Sequence, residues 1–127
     1  MSHKKRRILL VDDDPNVSYL LSMIMKLNDF DVMPFTDPDA ALAVFGKDQY
    51  DLLLLDVEMP KMNGFELYRE MKKIDKQVRV CFIANYMQEH VQEFRESFPE
   101  LGSDNLAEKP TFANDLLKIL QAHLGSW

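Results

Sequence analysis

Leu52-Leu53-Leu54-Leu55-Asp56 is the stretch of sequence that most constrains the fold, because four consecutive leucines end at one acidic residue. A run that is apolar at every position is typical of a strand buried on both faces, as strands are in a parallel sheet. Asp56 then stands at the carboxyl end of that strand, where open α/β sheets bind their ligands. The stretch therefore predicts both a central strand and the position of a functional site.

Four further short segments rich in apolar residues also predict strands, and a helical spacing of apolar residues follows each of the five. The predicted strands lie within Ile8–Val11, Phe30–Phe35, Leu52–Leu55, Val78–Ala84 and Leu106–Ala107. Parallel strands require crossover connections, which are usually helices. Five such units predict an α/β fold in which a doubly wound, five-stranded parallel sheet carries five helices on its two faces.

Length and composition exclude several classes of protein. A chain of 127 residues has the length of one domain, and we expect a single domain over 1–127 with a basic tail at 1–5. Fifteen basic against 21 acidic residues give a net charge of −6, which argues against nucleic acid as a partner. The single cysteine, Cys81, cannot form an internal disulfide, and no segment resembles a signal peptide or membrane span. We therefore expect a cytoplasmic protein that does not bind membranes.

Charged residues follow three of the five predicted strands. Three aspartates at 12–14 follow the first strand, Asp56 follows the third, and Lys109 follows the fifth. If the first and third strands are neighbours, at least three carboxylates meet, and two charges ~4 Å apart repel by about 4 kcal/mol at a dielectric near 20. Protonation or a cation must relieve that repulsion. Carboxylate oxygens suit Mg²⁺, and with a lysine they form the set that phosphoryl transfer uses.

Three motifs, taken together and in order, resemble the receiver domain of two-component response regulators. They are ILLVDDDP over residues 8–15, LLLLDVEMPKMNG over residues 52–64, and Lys109-Pro110. The resemblance covers residues 6–124. Within the family, the chain is similar to a stand-alone receiver of the chemotaxis-regulator type. It implies a flavodoxin-like fold with strand order 2-1-3-4-5, and a cis peptide bond before Pro110.

The resemblance also implies a role for each residue of the acidic cluster. Asp56 is expected to be the phosphoacceptor, attacking a phosphohistidine on a sensor kinase to form an acyl phosphate. Lys109 is expected to contact the phosphoryl group. The expected Mg²⁺ ligands are Asp13 directly, Asp12 through a water molecule, Asp56, and the backbone carbonyl of Glu58.

Two positions depart from the family's pattern, and both belong to its usual switch. The family usually has Ser or Thr at the end of the fourth strand and an aromatic residue on the fifth, whereas this chain has Ala84 and Leu106. A register shifted by one residue would place Asn85 at the hydroxyl position, where its amide could donate a hydrogen bond. Pro60 and Gly64 lie in the loop after the phosphoacceptor, and Gly64 lets that loop pass close to the cleft.

The leading hypothesis is a stand-alone receiver that is not a classical enzyme. A sensor histidine kinase or phosphotransfer protein would phosphorylate it. Because no effector or DNA-binding domain follows Trp127, we expect output through an unknown downstream protein or through onward transfer of the phosphoryl group. The alternative is a receiver-like interaction module that acts without phosphorylation, which Ala84 and Leu106 favour and the intact acids and Lys109 oppose.

Two other α/β functions fit less well. A Mg²⁺-dependent phosphatase with an aspartate nucleophile would need a second Asp and usually a Thr where Glu58 and Pro60 stand. Its substrate cap would also find little room in 127 residues. A flavodoxin-like cofactor carrier would bind phosphate at the first loop, where the aspartates at 12–14 repel an anion.

Overall fold

The structure is a computed structural model that describes residues 4–110 and 112–125. It has one parallel sheet in the order β2-β1-β3-β4-β5, which confirms the predicted fold class and strand order. The strands are β1 Arg7–Val11, β2 Asp31–Phe35, β3 Leu52–Asp56, β4 Val80–Ala84 and β5 Leu106–Glu108. The helices are α1 Pro15–Leu27, α2 Pro38–Val44, α3 Gly64–Ile74, α4 Val91–Ser97 and α5 Ala113–Leu124. Two short 3₁₀ helices, Met87–Glu89 and Ser103–Asn105, precede α4 and β5.

The leucine run of β3 separates two apolar layers, because successive side chains of a strand point to opposite faces. Leu53 and Leu55 pack in the layer that includes α3 and α4, whereas Leu52 and Leu54 pack in the layer that includes α1 and α5. All four leucines have no exposed surface. This double burial makes β3 the centre of the sheet and sets Asp56 firmly at its end.

Every predicted strand differs from the observed one by one or two residues at one end, and β4 differs most. β4 begins at Val80 rather than Val78, because Asp75 closes a turn by accepting a hydrogen bond from the Gln77 amide at 3.0 Å. β2 contains Pro34, and it is an edge strand, where a residue without an amide hydrogen is tolerated.

The predicted basic tail is described only in part, since residues 1–3 lie outside the described residues, as does Trp127. Lys4 and Lys5 are exposed, and Lys5 Nζ lies 3.4 Å from Asp29 Oδ1. An exposed pair of this kind contributes little to stability. Within the described part of the chain, every helix is too short or too polar to cross a bilayer.

Candidate functional site

Two buried aspartates meet at the carboxyl edge of the sheet. Asp12 follows β1 and Asp56 ends β3, and these strands are paired neighbours, so parallel pairing brings the two side chains together. Neither residue has exposed surface. Asp56 Oδ1 accepts a hydrogen bond from the Glu58 amide at 3.0 Å, and Asp12 Oδ1 accepts one from the Asp14 amide at 3.0 Å. The convergence expected from the strand ends is therefore present.

Lys109 lies across from both aspartates. Its Nζ is 3.0 Å from Asp12 Oδ2 and 3.1 Å from Asp56 Oδ2, and its side chain is 10% exposed. The Lys109 amide donates to the Ala84 carbonyl oxygen at 2.8 Å, which fixes the lysine beside the end of β4. Burial lowers the pKa of Lys109, but its contacts with Asp12 and Asp56 outweigh burial and raise that pKa overall. The lysine is therefore a permanent positive charge in the site.

Burial dominates the acidity of Asp56. Burial first, and then the charge of Asp12, raise the pKa of this carboxyl from 3.8 to about 7. Lys109 and the Glu58 amide act in the opposite direction by stabilising the charged form. Without a bound cation, Asp56 is therefore harder to ionise than an exposed aspartate.

The donor set fits Mg²⁺. Asp12, Asp13 and Asp56 each offer a carboxylate oxygen, and these oxygens lie within 4.8 Å of one another. Asp12 Oδ2 and Asp56 Oδ2 are buried and accept no hydrogen bond of good geometry from a described residue, although Lys109 lies within ion-pair distance. No described residue donates to the Glu58 carbonyl oxygen either. Oxygen donors with unused lone pairs are what Mg²⁺ binds.

Asp14 has a different role from its neighbours. Its Oδ1 accepts hydrogen bonds from the Asn16 amide at 2.9 Å and the Val17 amide at 3.5 Å, so Asp14 is the N-cap of α1. A side chain held in this way is directed into the helix and is not available to the acidic cluster.

We expect Asp13→Ala to weaken Mg²⁺ binding at least about tenfold, while Asp14→Ala leaves it nearly unchanged. The physical reason is that Asp13 is part of the oxygen cluster, whereas Asp14 caps α1. Titration with Mg²⁺ followed by amide NMR measures both affinities. Because losing a cap costs about 1 kcal/mol, circular dichroism should show that both variants remain folded. Equal losses of affinity would contradict the assignment of Asp13 as a ligand.

Gly64 brings α3 close to the end of β3. A Cβ atom at this position would lie 2.5 Å from the Asp56 carbonyl oxygen, so any larger residue would force the backbone apart. Asn63 caps α3 through a capping box with Glu66, in which Asn63 Oδ1 accepts from the Glu66 amide at 2.9 Å. The loop between Asp56 and Gly64, which includes the exposed Pro60, is therefore held at both ends.

Ala84 and Leu106 lie on the side of the sheet that faces α4. Ala84 is the last residue of β4 and is buried, and Leu106 on β5 pairs with Phe82 and is 6% exposed. Asn85 lies outside the strand and is exposed. The strand thus ends at Ala84, whose methyl group has no hydrogen to donate. The role of these positions in a switch stays a prediction.

The peptide bond before Pro110 differs from what the resemblance implied. No peptide bond within residues 4–110 and 112–125 is cis, so the expected cis bond is wrong for this structure.

The side chain of Glu58 has contacts that sequence reasoning missed. Its Oε1 accepts from the Asn85 amide at 2.7 Å, and its Oε2 accepts from the Tyr86 amide at 3.2 Å and lies 3.1 Å from His90 Nε2. Burial alone would raise the pKa of Glu58, but these contacts together lower it. The sequence assigned only the backbone carbonyl of Glu58 to the site. It carries no signal for contacts that span 27 to 32 residues of chain.

Comparison with known proteins relates most of the chain to one family. A family model described as response regulator receiver domain matches residues 8–121. The transcriptional regulatory protein CpxR of Klebsiella pneumoniae is 34% identical over 118 residues, which cover 93% of this chain and 49% of that protein. The sporulation initiation phosphotransferase F of Bacillus subtilis is 32% identical over 91 residues, which cover 71% of this chain and 73% of that protein.

A solved structure adds a comparison in three dimensions. The response regulator protein TrrA of Thermotoga maritima, in complex with Mg²⁺-BeF, superimposes with a TM-score of 0.71 at 28% identity. The match covers 89% of this chain and 93% of that one. The chain spans about half the length of CpxR and of several other curated relatives.

Proposed function

Because the chain belongs to the response regulator receiver domain family, we propose that Asp56 accepts a phosphoryl group from a phosphohistidine. The donor is a sensor histidine kinase or a phosphotransfer protein. One carboxylate oxygen of Asp56 attacks phosphorus, the phosphorus–nitrogen bond breaks, and its electron pair returns to the imidazole. The products are an acyl phosphate on Asp56 and a free histidine on the donor.

The observation that carries this proposal is the buried Asp56 carboxylate beside the half-buried Lys109. The Glu58 amide orients this carboxylate through Oδ1, and Lys109 Nζ lies 3.1 Å from Oδ2. Lys109 favours the charged, nucleophilic form of Asp56 and offers a positive charge to the incoming phosphoryl oxygens. Asp13, Asp56 and the Glu58 carbonyl, with Asp12 through a water molecule, would hold Mg²⁺, which would neutralise further phosphoryl charge.

Receiver domains are signalling modules rather than classical enzymes, so the phosphorylated chain needs a reader. We propose that it works in the cytoplasm and signals through a downstream protein, or passes the phosphoryl group onward. The similarity to a phosphotransferase, of which the match covers 73%, supports the second route. The alternative, an interaction module that acts without phosphorylation, is favoured by the absence of a hydroxyl at Ala84 and of a ring at Leu106.

Incubation with Mg²⁺ and acetyl phosphate tests the proposal. Intact mass spectrometry should show an adduct of about 80 Da, the mass of one phosphoryl group added to a carboxylate. Reduction with borohydride converts an acyl phosphate to homoserine, which would mark Asp56 in a peptide map. Absence of the adduct with Mg²⁺ present would contradict phosphorylation. Partner binding that is unchanged by the adduct would favour the interaction module.

We expect phosphorylation to cause an unusually small rearrangement at Leu106 and α5. A hydroxyl at position 84 would give the phosphoryl group a hydrogen bond worth roughly 1.5–3 kcal/mol, since the acceptor is charged. That is comparable to the whole coupling energy of many switches, about 1–3 kcal/mol. Amide NMR with and without beryllofluoride, a mimic of the phosphoryl group, measures the rearrangement.

Large shifts from Leu106 through Leu120 would contradict this expectation. The Ala84→Thr variant is a useful comparison, because it restores the hydroxyl but not the aromatic ring. Its response should grow only modestly, since Leu106 has no ring whose rotation could follow the hydroxyl.

A further inference from the structure

The segment between β4 and α4 is weakly anchored to the rest of the protein. None of the residues in 85–93 is buried. The 3₁₀ helix Met87–Glu89 has no buried residue and no side-chain cap, and α4 contributes only Phe94 as a buried residue. The half-buried side chains of Met87 and Val91 pack against the core, and polar contacts supply the rest of what holds the segment.

Most of those polar contacts end on one carboxylate. Glu58 accepts from the Asn85 and Tyr86 amides and contacts the His90 ring, which is the N-cap residue of α4. Among the described residues, the other hydrogen bond from 85–90 to a different element runs from the Met87 amide to Glu108 Oε1, at 3.3 Å. The side chains of Glu58 and His90 are only 24% and 21% exposed, so water competes weakly for their contact.

The same residue is joined to the phosphoacceptor. The Glu58 amide donates to Asp56 Oδ1 at 3.0 Å, while its side chain reaches across to the segment before α4. Adding a phosphoryl group to Asp56 changes the charge and the hydrogen-bonding capacity of the atom that this amide contacts. If the Glu58 backbone moves in response, its carboxylate moves with it, and so do the Asn85 and Tyr86 amides that are hydrogen-bonded to that carboxylate.

The structure has room for the segment to move. A cavity of about 420 Å³ lies beside it. Its lining residues are Met87, Gln88, Val91, Phe94, Arg95, Leu101, Gly102, Ser103 and Leu106. Since the segment has no buried side chain before Phe94, a shift toward or away from this space breaks little core packing.

We propose that Glu58 is a positioning residue that couples Asp56 to the start of α4. Ala84 cannot provide this coupling, because its methyl group has no hydrogen to donate to a phosphoryl oxygen. This inference rests on the proposed function, because it concerns what phosphorylation of Asp56 moves. It assigns the response to residues 85–93 rather than to β5 and α5. A partner that reads phosphorylation would accordingly contact the exposed surface of that segment.

Amide NMR of the full chain with Mg²⁺ and beryllofluoride tests the coupling in four proteins: the wild type, Glu58→Ala, Glu58→Gln and Glu89→Ala. The last is the matched control, since Glu89 is an exposed glutamate of the same segment whose side chain contacts no described residue through a polar atom. In the wild type, beryllofluoride should shift the amides of 85–93. In Glu58→Ala these shifts should fall to roughly a third or less.

The remaining variants separate coupling from simple loss of structure. Glu58→Gln keeps one acceptor oxygen, so it should give an intermediate response in a protein whose spectrum remains well dispersed. Glu89→Ala should respond like the wild type. In every variant, shifts at Val57 and Asp13 report whether beryllofluoride has bound at all.

Two failures would have different meanings. If beryllofluoride shifts no amide near Asp56 in the wild type, the proposed phosphorylation is wrong. If it binds Glu58→Ala and Glu58→Gln, and the shifts at 85–93 remain as large as in the wild type, the coupling role of Glu58 is wrong and the proposed phosphorylation stands.

Discussion

The Asp56→Asn variant is expected to lose labelling by acetyl phosphate by at least about a thousandfold, as enzymes do when their nucleophile is removed. An amide is a poor nucleophile and cannot form an acyl phosphate. The substitution keeps the size of the side chain, and Asn Oδ1 can still accept from the Glu58 amide that now orients Asp56 at 3.0 Å. The loss would therefore reflect chemistry rather than a distorted site.

Radiolabelled or mass-detected acetyl phosphate measures the loss over the same time course in both proteins. Asp39→Asn is the matched control, because Asp39 is an exposed aspartate on α2, away from the acidic cluster. Its labelling should equal that of the wild type. Undiminished label in Asp56→Asn, mapped to another residue, would move the phosphoacceptor there.

The same Asp56→Asn variant is expected to be more stable than the wild type without Mg²⁺, and more so at pH 8 than at pH 5. Burial and the charge of Asp12 raise the pKa of Asp56 from 3.8 to about 7 in the folded protein. A raised pKa contributes stability that is fully present below about 3.8 and is lost as the pH rises through about 7. At pH 8 the wild type must therefore hold a second buried negative charge beside Asp12, which the variant avoids.

A rise from 3.8 to about 7 corresponds to about 4 kcal/mol for an isolated carboxyl. Because relaxation and water entry around a buried charge reduce this cost, we expect a gain of about 2 kcal/mol in the free energy of unfolding at pH 8. Urea denaturation in EDTA at pH 5 and pH 8 measures it. Asp39→Asn, at an exposed position on α2, controls for the effect of the substitution itself. A difference between wild type and Asp56→Asn that is equal at both pH values would mean that Asp56 titrates normally.

Asp56→Asn is therefore expected to remove phosphorylation and, at the same time, to increase stability. The arrangement that makes Asp56 costly to ionise also leaves two carboxylate oxygens buried with unused hydrogen-bonding capacity. A bound cation or phosphoryl group would use that capacity and lower the cost. Asp56 thus lowers the stability of the folded protein at the position where we propose that it accepts a phosphoryl group.

The sequence alone determined the architecture and the neighbourhood of the site. The leucines of β3 could be assigned to a central parallel strand because only burial on both faces tolerates four apolar residues in a row. The convergence of Asp12 and Asp56 required the first and third strands to be neighbours, which the resemblance to the family implied and the structure confirms. Periodicity within short stretches of chain predicts the strands and helices, but it does not order the strands.

Only the tertiary structure decided the contacts between loops and the protonation of the site. The reach of Glu58 to Asn85 and His90 depends on the paths of two loops far apart in sequence, which no local pattern encodes. The pKa of Asp56 depends on how completely the folded chain excludes water and on the distance to Asp12 and Lys109. Both properties depend on which groups surround a residue in the folded protein. Residue types and spacing could therefore place these groups in one cleft, but they could not assign hydrogen-bond partners or protonation.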